Sequence, residues 1–380
     1  FFSEVFFKIF GAQDWAFYLL SQIFVLIAFY FVFKLSFEVL GNIKLGLISV
    51  LLLESIYFYN FTTPEFNVNV CQLPFWSLVV YFTWKIYETK EIKFSDCFFV
   101  GLFAAIGFLS KYLFIYLLLA IIFLFTHSIF VKKIKKFDFK YLITIEVFLV
   151  LLVPHLIWLF NYDFITINYG LKRTGLEGSE IFDHFKYPLI FLLKQLGILV
   201  PFFFLVFLLV KKVKFKINFK DQKFLFLLFV NILPIALMFL TSAITGSKIR
   251  TMWMTPFYLF FGLMFVYIFQ SQINIKKINS FLYGFIFLFF LSPILYSYES
   301  ISKTDKRTDY PGKEIAAKVQ IVWDQDFDKE IEFVTGNEWN AGNLSYHLKS
   351  RPKWEGFNNS EILKKSSQFI CVDDVCLGRY

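Results

Sequence analysis

Six basic or acidic side chains and a few amide and aromatic ones stand where this otherwise apolar chain gives way to polar residues. Glu65 lies in the stretch from Phe61 to Trp76, which runs from an acid-bearing loop into an apolar span, with no basic residue within several positions. Asn67 shares its loop, and Pro64 and Pro74, residues that bend or end helices, punctuate it. Ser110, Lys111 and Tyr112 interrupt a pair of apolar spans, Lys172 and Arg173 follow the next long span, and Lys248, Arg250 and Trp253 open a later one. A carboxylate at the mouth of a membrane span is costly without a partner and is a functional-site hypothesis by default. One acid among several cations suits an anionic lipid phosphate, held by Lys and Arg, with a divalent metal on Glu65 as a further expectation. Such a site works by positioning a leaving phosphate and stabilising its charge.

Each residue also has a plainer reading. Lys111 serves equally as a topology anchor in a two-residue turn, and Lys248 and Arg250 as ordinary loop charges. Lys194 snorkels from an apolar span to the surface. His155 beside Pro154 is a helix-end group, and Tyr112, Trp158 and Trp253 suit interfacial anchors. Glu65 is the residue for which function outweighs these alternatives. No nucleophile motif, Gly-rich phosphate loop or Cys/His metal cluster is present.

The elements that must position these residues are membrane helices. Of 380 residues 58% are hydrophobic, 57 of them Phe, which exceeds what a soluble core needs. Apolar runs of roughly 20 residues, the length that crosses a bilayer core, recur along the chain. Candidate spans fall near 14–34, 42–59, 68–87, 95–110, 112–131, 140–160, 186–210, 223–244, 252–270 and 279–298. Residues 1–12 form an amphipathic segment, with Phe1, Phe2, Val5, Phe6, Ile9 and Phe10 at helical spacing opposite Ser3, Glu4 and Lys8, as in a helix lying in the interface.

Charge orients the spans. One set of alternate loops carries 18 Lys, and the other carries seven Lys and Arg, including Lys111, Lys172, Arg173, Lys248 and Arg250. The richer set is cytoplasmic by the positive-inside rule, so the Glu65 loop and the other site residues lie outside. The net charge of +9 is accounted for by these loops, without nucleic acid. The reading is an all-α polytopic membrane protein of about ten transmembrane helices over residues 1–299. A small C-terminal α/β domain follows over 300–380, with helices at Lys313–Trp323 and Ala341–His347 and strands at Ile331–Thr335 and Phe369–Val372. Cys71 and Cys97 sit in or beside apolar spans. Cys371 and Cys376 can pair only if the tail occupies an oxidising compartment.

The ordered set Thr63-Pro-Glu-Phe-Asn…Pro-Phe-Trp76, Gly107-Phe-Leu-Ser-Lys-Tyr112, Pro154-His-Leu-Ile-Trp158, Gln195…Pro201 and Lys248-Ile-Arg-Thr-Met-Trp253 resembles bacterial polyprenyl-phosphate-sugar glycosyltransferases of the GT-C fold. These are similar to the protein O-mannosyltransferases and the lipid A aminoarabinose transferases. The tail is also similar, in Tyr310-Pro-Gly-Lys-Glu-Ile-Ala, in Thr335-Gly-Asn-Glu-Trp-Asn-Ala-Gly-Asn-Leu-Ser-Tyr-His-Leu, and in Ser350-Arg-Pro.

The resemblance implies a multi-pass protein of the bacterial inner membrane with a periplasmic C-terminal domain. It implies sugar transfer from a polyprenyl-phosphate donor to an envelope acceptor, which is a lipid, glycan or protein. Glu65 stands at the family's second outer acidic position, implicated in metal or lipid-phosphate binding. Lys111 stands in its Ser/Thr-Lys motif near that phosphate, and Lys248 and Arg250 match its late basic pair. The family's catalytic carboxylate lies in a first outer loop, and this sequence begins at about the helix that follows it. The general base is therefore expected upstream of Phe1, in a first span and loop missing from an N-terminally truncated chain. A lipid or sugar transporter or flippase is an alternative, although the polar residues sit at outer mouths and no internal repeat is visible. A non-catalytic membrane scaffold, with the tail as its working part, is another.

Overall fold

A computed structural model describes residues 1–175, 180–210, 213–214, 217–273, 278–303, 309–356, 360–372 and 374–380. Lys211, Lys212, Lys216, Lys276 and Lys277, five of the lysines used to orient the spans, lie outside the described residues.

The helices in chain order are α1 (Phe2–Phe10), α2 (Asp14–Leu40), α3 (Ile43–Leu51), α4 (Tyr57–Asn60), α5 (Val68–Cys71), α6 (Leu73–Glu88), α7 (Phe94–Ser110), α8 (Ile115–Thr126), α9 (Tyr141–Asn161), α10 (Ile165–Thr174), α11 (Asp183–Leu209), α12 (Gln222–Thr245), α13 (Phe261–Phe269), α14 (Ile278–Ser302), α15 (Gly312–Asp326), α16 (Glu338–His347) and α17 (Ser360–Lys365). The strands are β1 (Phe333–Thr335), β2 (Lys353–Trp354), β3 (Gln368–Val372) and β4 (Val375–Arg379). The chain divides into two compact units, one of Trp15–Leu295 and one of Phe1–Asp14 with Tyr296–Tyr380.

The class expected from composition stands, and among the described residues fewer than ten helices are long and apolar enough to cross a membrane as single continuous helices. Among the described residues six helices are long and apolar enough to cross a membrane, and a seventh is the pair Thr251–Tyr258 and Phe261–Gln272, bent by 50°. The three remaining expected spans are broken or short. Near 42–59, α3 gives way to a 3₁₀ turn at Leu52–Ser55 before α4. Polar side chains take up its backbone, with Ser55 Oγ donating to the Leu52 carbonyl at 2.6 Å and Asn60 Nδ2 to that of Glu54 at 2.7 Å, the local competition that disfavours a continuous helix. The α6 helix begins at a proline in its first turn and has 16 residues, and α7 has 17.

The larger unit is held by aromatic packing. Trp76 lies edge-on to Phe114 at 5.4 Å between centroids and against Phe257 at 4.9 Å, all three fully buried. The α7 helix packs along α6 and α9, α12 along α8 and α11, and α13 along α3. The last pairing needs Gly262, because a Cβ there would collide with the Ser49 backbone.

In the other unit, α15 and α16 pack on a four-stranded sheet of order β2-β1-β4-β3. The β1 strand runs parallel to β2 and antiparallel to β4, and β3 and β4 form a hairpin. Ala316, Trp323, Val334, Leu344 and Leu377 contribute to its core. The two tail helices and the strands β1 and β3 fall where the sequence predicts them; β2 and β4 are additional. The hairpin carries a Cys371–Cys376 disulfide. The N-terminal α1 joins this unit, where Arg351 pairs with Glu4 at 3.1 Å and lies 3.7 Å from the centroid of the Phe7 ring.

Candidate functional site

The Glu65 loop is fixed at both ends. Thr63 is buried, its carbonyl accepting from Ser21 Oγ at 2.5 Å and Gln22 Nε2 at 3.2 Å, both on α2. Phe66 packs edge-on against Phe24 of the same helix. Asn67 then adopts extended backbone and caps α5, its Oδ1 accepting from the backbone N–H groups of Asn69 at 2.9 Å and Val70 at 3.3 Å. Its Nδ2 reaches back to the Glu65 carbonyl at 3.1 Å. One side chain thus ties the acid's backbone to the start of a helix. The Glu65 side chain itself is exposed and makes no ion pair among the described residues.

The capped turn presents Asn69, whose Oδ1 accepts a 2.5 Å hydrogen bond from Lys111 Nζ. Lys111 ends α7 in extended conformation, so its side chain leaves the helix rather than continuing along it. Its ammonium also lies 5.3 Å from the centroid of the Trp253 ring, within cation–π range. Trp253 is held in turn, because its 3₁₀ segment, Thr251–Tyr258, is tied to α4 by Tyr59 OH donating to the Thr255 carbonyl at 2.6 Å. Burial, with a smaller contribution from the charge of Arg173, lowers the Lys111 ammonium from its ordinary 10.5 to about 7.

Three cation-bearing segments meet around this lysine. Tyr112, the next residue, bonds through its hydroxyl to His155 Nε2 and to Thr166 Oγ1, each at 2.7 Å, joining the α7–α8 turn to α9 and α10. The α10 helix ends in Lys172 and Arg173, the latter bonded to and lying over Tyr169. The Thr174 carbonyl that follows accepts from the Lys248 backbone N–H at 3.0 Å, which brings in the segment carrying Lys248, Arg250 and Trp253. Lys172, Lys248 and Arg250 are exposed, and none of them makes an ion pair among the described residues.

The fold therefore brings Lys111, Trp253 and Arg173 together and gathers the other cations on contiguous segments. Among the described residues, the backbone of Glu65 is linked to Lys111 through Asn67 and Asn69. Asn69 was not among the sequence candidates. The available signal was the Asn67-Val68-Asn69 pattern at a helix start, where the first Asn caps and the second is carried inward. His155 and Thr166 enter through Tyr112, and the ring of His155 stacks on Trp158, 5.6 Å between centroids. Among the described residues no three His, Cys, Asp or Glu side chains gather as a metal set. A divalent ion on Glu65 would depend on phosphate oxygens and water for most of its shell, so the residues present do not make a protein cage, and no step below passes through a metal.

Comparison with known proteins gives one finding. Residues 1–158 match the family model of dolichyl-phosphate-mannose-protein mannosyltransferases. That stretch contains Glu65, Asn67, Asn69, Lys111 and Tyr112, whereas Lys172, Arg173, Lys248, Arg250 and Trp253 lie beyond it. No curated protein and no solved structure matches the chain. The match agrees with the resemblance drawn from the motifs over those residues, which are under half of the chain, and the long apolar helices make this a multi-pass membrane protein.

Proposed function

We propose that the protein transfers a sugar from a polyprenyl-phosphate donor to an acceptor on the outer face of a bacterial inner membrane. The observation that carries this reading is the Lys111 ammonium, bonded to the Asn69 carbonyl, beside the Trp253 ring and within the electrostatic reach of Arg173. An ammonium has three N–H donors. With one engaged by Asn69, two are free for phosphate oxygens. As the bond from the sugar carbon to the phosphate oxygen breaks, its electron pair stays on the phosphate, and the fixed cations stabilise the charge that develops there. The exposed Glu65 is read as a further contact to the head group. The acceptor oxygen forms the new bond to the sugar carbon and gives its proton to a carboxylate base.

The outward orientation draws on the excess of Lys in the opposite set of loops and on the tail disulfide, which suits an oxidising compartment. Transfer of labelled sugar from a polyprenyl-phosphate donor, assayed with the full chain in proteoliposomes, tests the function. Donor-dependent transfer that is lost in Lys111→Ala is the result expected. Absence of transfer and of polyprenyl-phosphate binding in the folded protein would reject the reading.

A further inference from the structure

We propose that Asn69 is a positioning residue of the lipid-phosphate site, engaging one Lys111 N–H donor so that the ammonium stays against Trp253 with its other two donors directed to an anionic phosphate ester. This rests on the reading of the site given above.

A lysine side chain is a flexible four-carbon stem carrying a strongly hydrated point charge. Left alone at the end of α7, it would sample many rotamers and favour water. Three features prevent that here. Asn69 is 6% exposed and cannot swing away into solvent. Its own backbone N–H is held by Asn67 Oδ1, which fixes the turn from which its amide projects. Trp253 limits the ammonium on a second side, and its segment is pinned to α4 by a buried tyrosine. The amide Oδ1 is neutral, so it accepts from the ammonium without cancelling its charge. A carboxylate there would form an ion pair and compete with the substrate phosphate. The residue type therefore suits an arrangement in which the cation is held but remains available.

The same geometry accounts for how a distant acid is linked to the lysine. Asn67 contacts the Glu65 backbone carbonyl and caps the turn that bears Asn69, and Asn69 contacts Lys111. Asn69 touches Lys111 in the described structure and acts on the phosphate through it, so it is not assigned a catalytic role.

The test uses Asn69→Leu, close in volume but without an acceptor, and Asn69→Asp, which keeps an oxygen, in the full chain purified in detergent. Lys111 is followed in two ways: by the pH dependence of its acylation rate, read on the Lys111 peptide by mass spectrometry, and by binding of polyprenyl phosphate at fixed pH. Loss of a hydrogen bond to a charged group corresponds to roughly a ten- to hundredfold effect. Asn69→Leu is therefore expected to weaken polyprenyl-phosphate binding by about that factor and to move the Lys111 titration to lower pH. Asn69→Asp is expected to move the titration to higher pH and to weaken phosphate binding through competition. If either folded variant leaves both the titration and the binding unchanged, the proposal is overturned. Should Asn69→Leu fail to fold, Asn69→Asp alone decides. The acylation readout needs no substrate, so a shifted Lys111 titration together with no phosphate binding in the wild type would uphold the Asn69–Lys111 coupling and reject the lipid-phosphate assignment.

Discussion

The ammonium of Lys111 lies 5.3 Å from the centroid of the Trp253 ring, although the two residues are separated by about half of the membrane unit in sequence. The contact draws the turn after α7 and the late 3₁₀ segment to one point, and burial there lowers the lysine to about 7. A cation whose proton is held this loosely makes the site sensitive to pH near neutrality.

Donor use is therefore expected to fall as pH rises through about 7 in the free protein, because the ammonium that meets the phosphate is then lost. The ratio kcat/KM for the polyprenyl-phosphate donor, measured between pH 5.5 and pH 9 (about one and a half to two units either side of that value), reports this limb. Lys111→Arg keeps its charge across the range and should flatten it. Stability has the opposite sign. The burden of burying the ammonium is full below about 7 and is relieved as pH rises toward 10.5, so the unfolding free energy contributed by this group increases over that window. A profile identical in wild type and Lys111→Arg would assign the limb to another group.

Glu65→Gln is expected to abolish transfer while leaving the fold intact. The side chain is exposed and makes no ion pair among the described residues, so its stability effect should stay within about 0.5 kcal/mol. Thermal unfolding in detergent beside a transfer assay separates the two. Wild-type turnover in the variant would remove Glu65 from the site.

Replacing both Cys371 and Cys376 by Ser removes a bond that closes a short hairpin loop across β3 and β4. Chain entropy assigns such a closure about 2 kcal/mol. The tail should unfold at lower denaturant while the membrane unit holds. In the denatured but unreduced wild-type chain, a thiol reagent should reach Cys71 and Cys97 at once, and Cys371 and Cys376 only after reduction. Labelling of all four without reductant would show the pair to be free.

Gly262→Ala forces a methyl group into the Ser49 backbone where α13 crosses α3. Backbone cannot yield as a flexible side chain does, so a loss of at least about 1–3 kcal/mol is expected. Gly197→Ala, at a helix position with open space around it, is the matched control. Equal thermal stability of the two variants would contradict the close approach.

Composition and apolar run length make the chain a multi-pass membrane protein, and a break into charged, turn-rich sequence marks the small tail domain. Both readings rest on one-dimensional quantities, hydrophobicity and length, and the long helices α2, α9, α11, α12 and α14 follow from them. The same quantities do not tell a continuous helix from a broken one. An apolar run says nothing of whether Ser55 and Asn60 will divert their own backbone into a 3₁₀ turn, or that Pro74 will start a new helix.

Residue type also picked out Lys111, Trp253 and the cations beside them, because charge in an apolar chain is conspicuous wherever it falls. Asn69 escaped notice, since an amide in a loop is unremarkable until its neighbour is known. Sequence alone determined which groups are too polar for lipid and on which face of the membrane they were expected. Only the tertiary structure decided that a lysine 42 residues away would come to rest on Asn69 while the acid beside it stayed outside. The reason is that a hydrogen bond is formed between positions in space, fixed by the capping of α5 and the packing of α7, and neither position is encoded in the local pattern of residues around it.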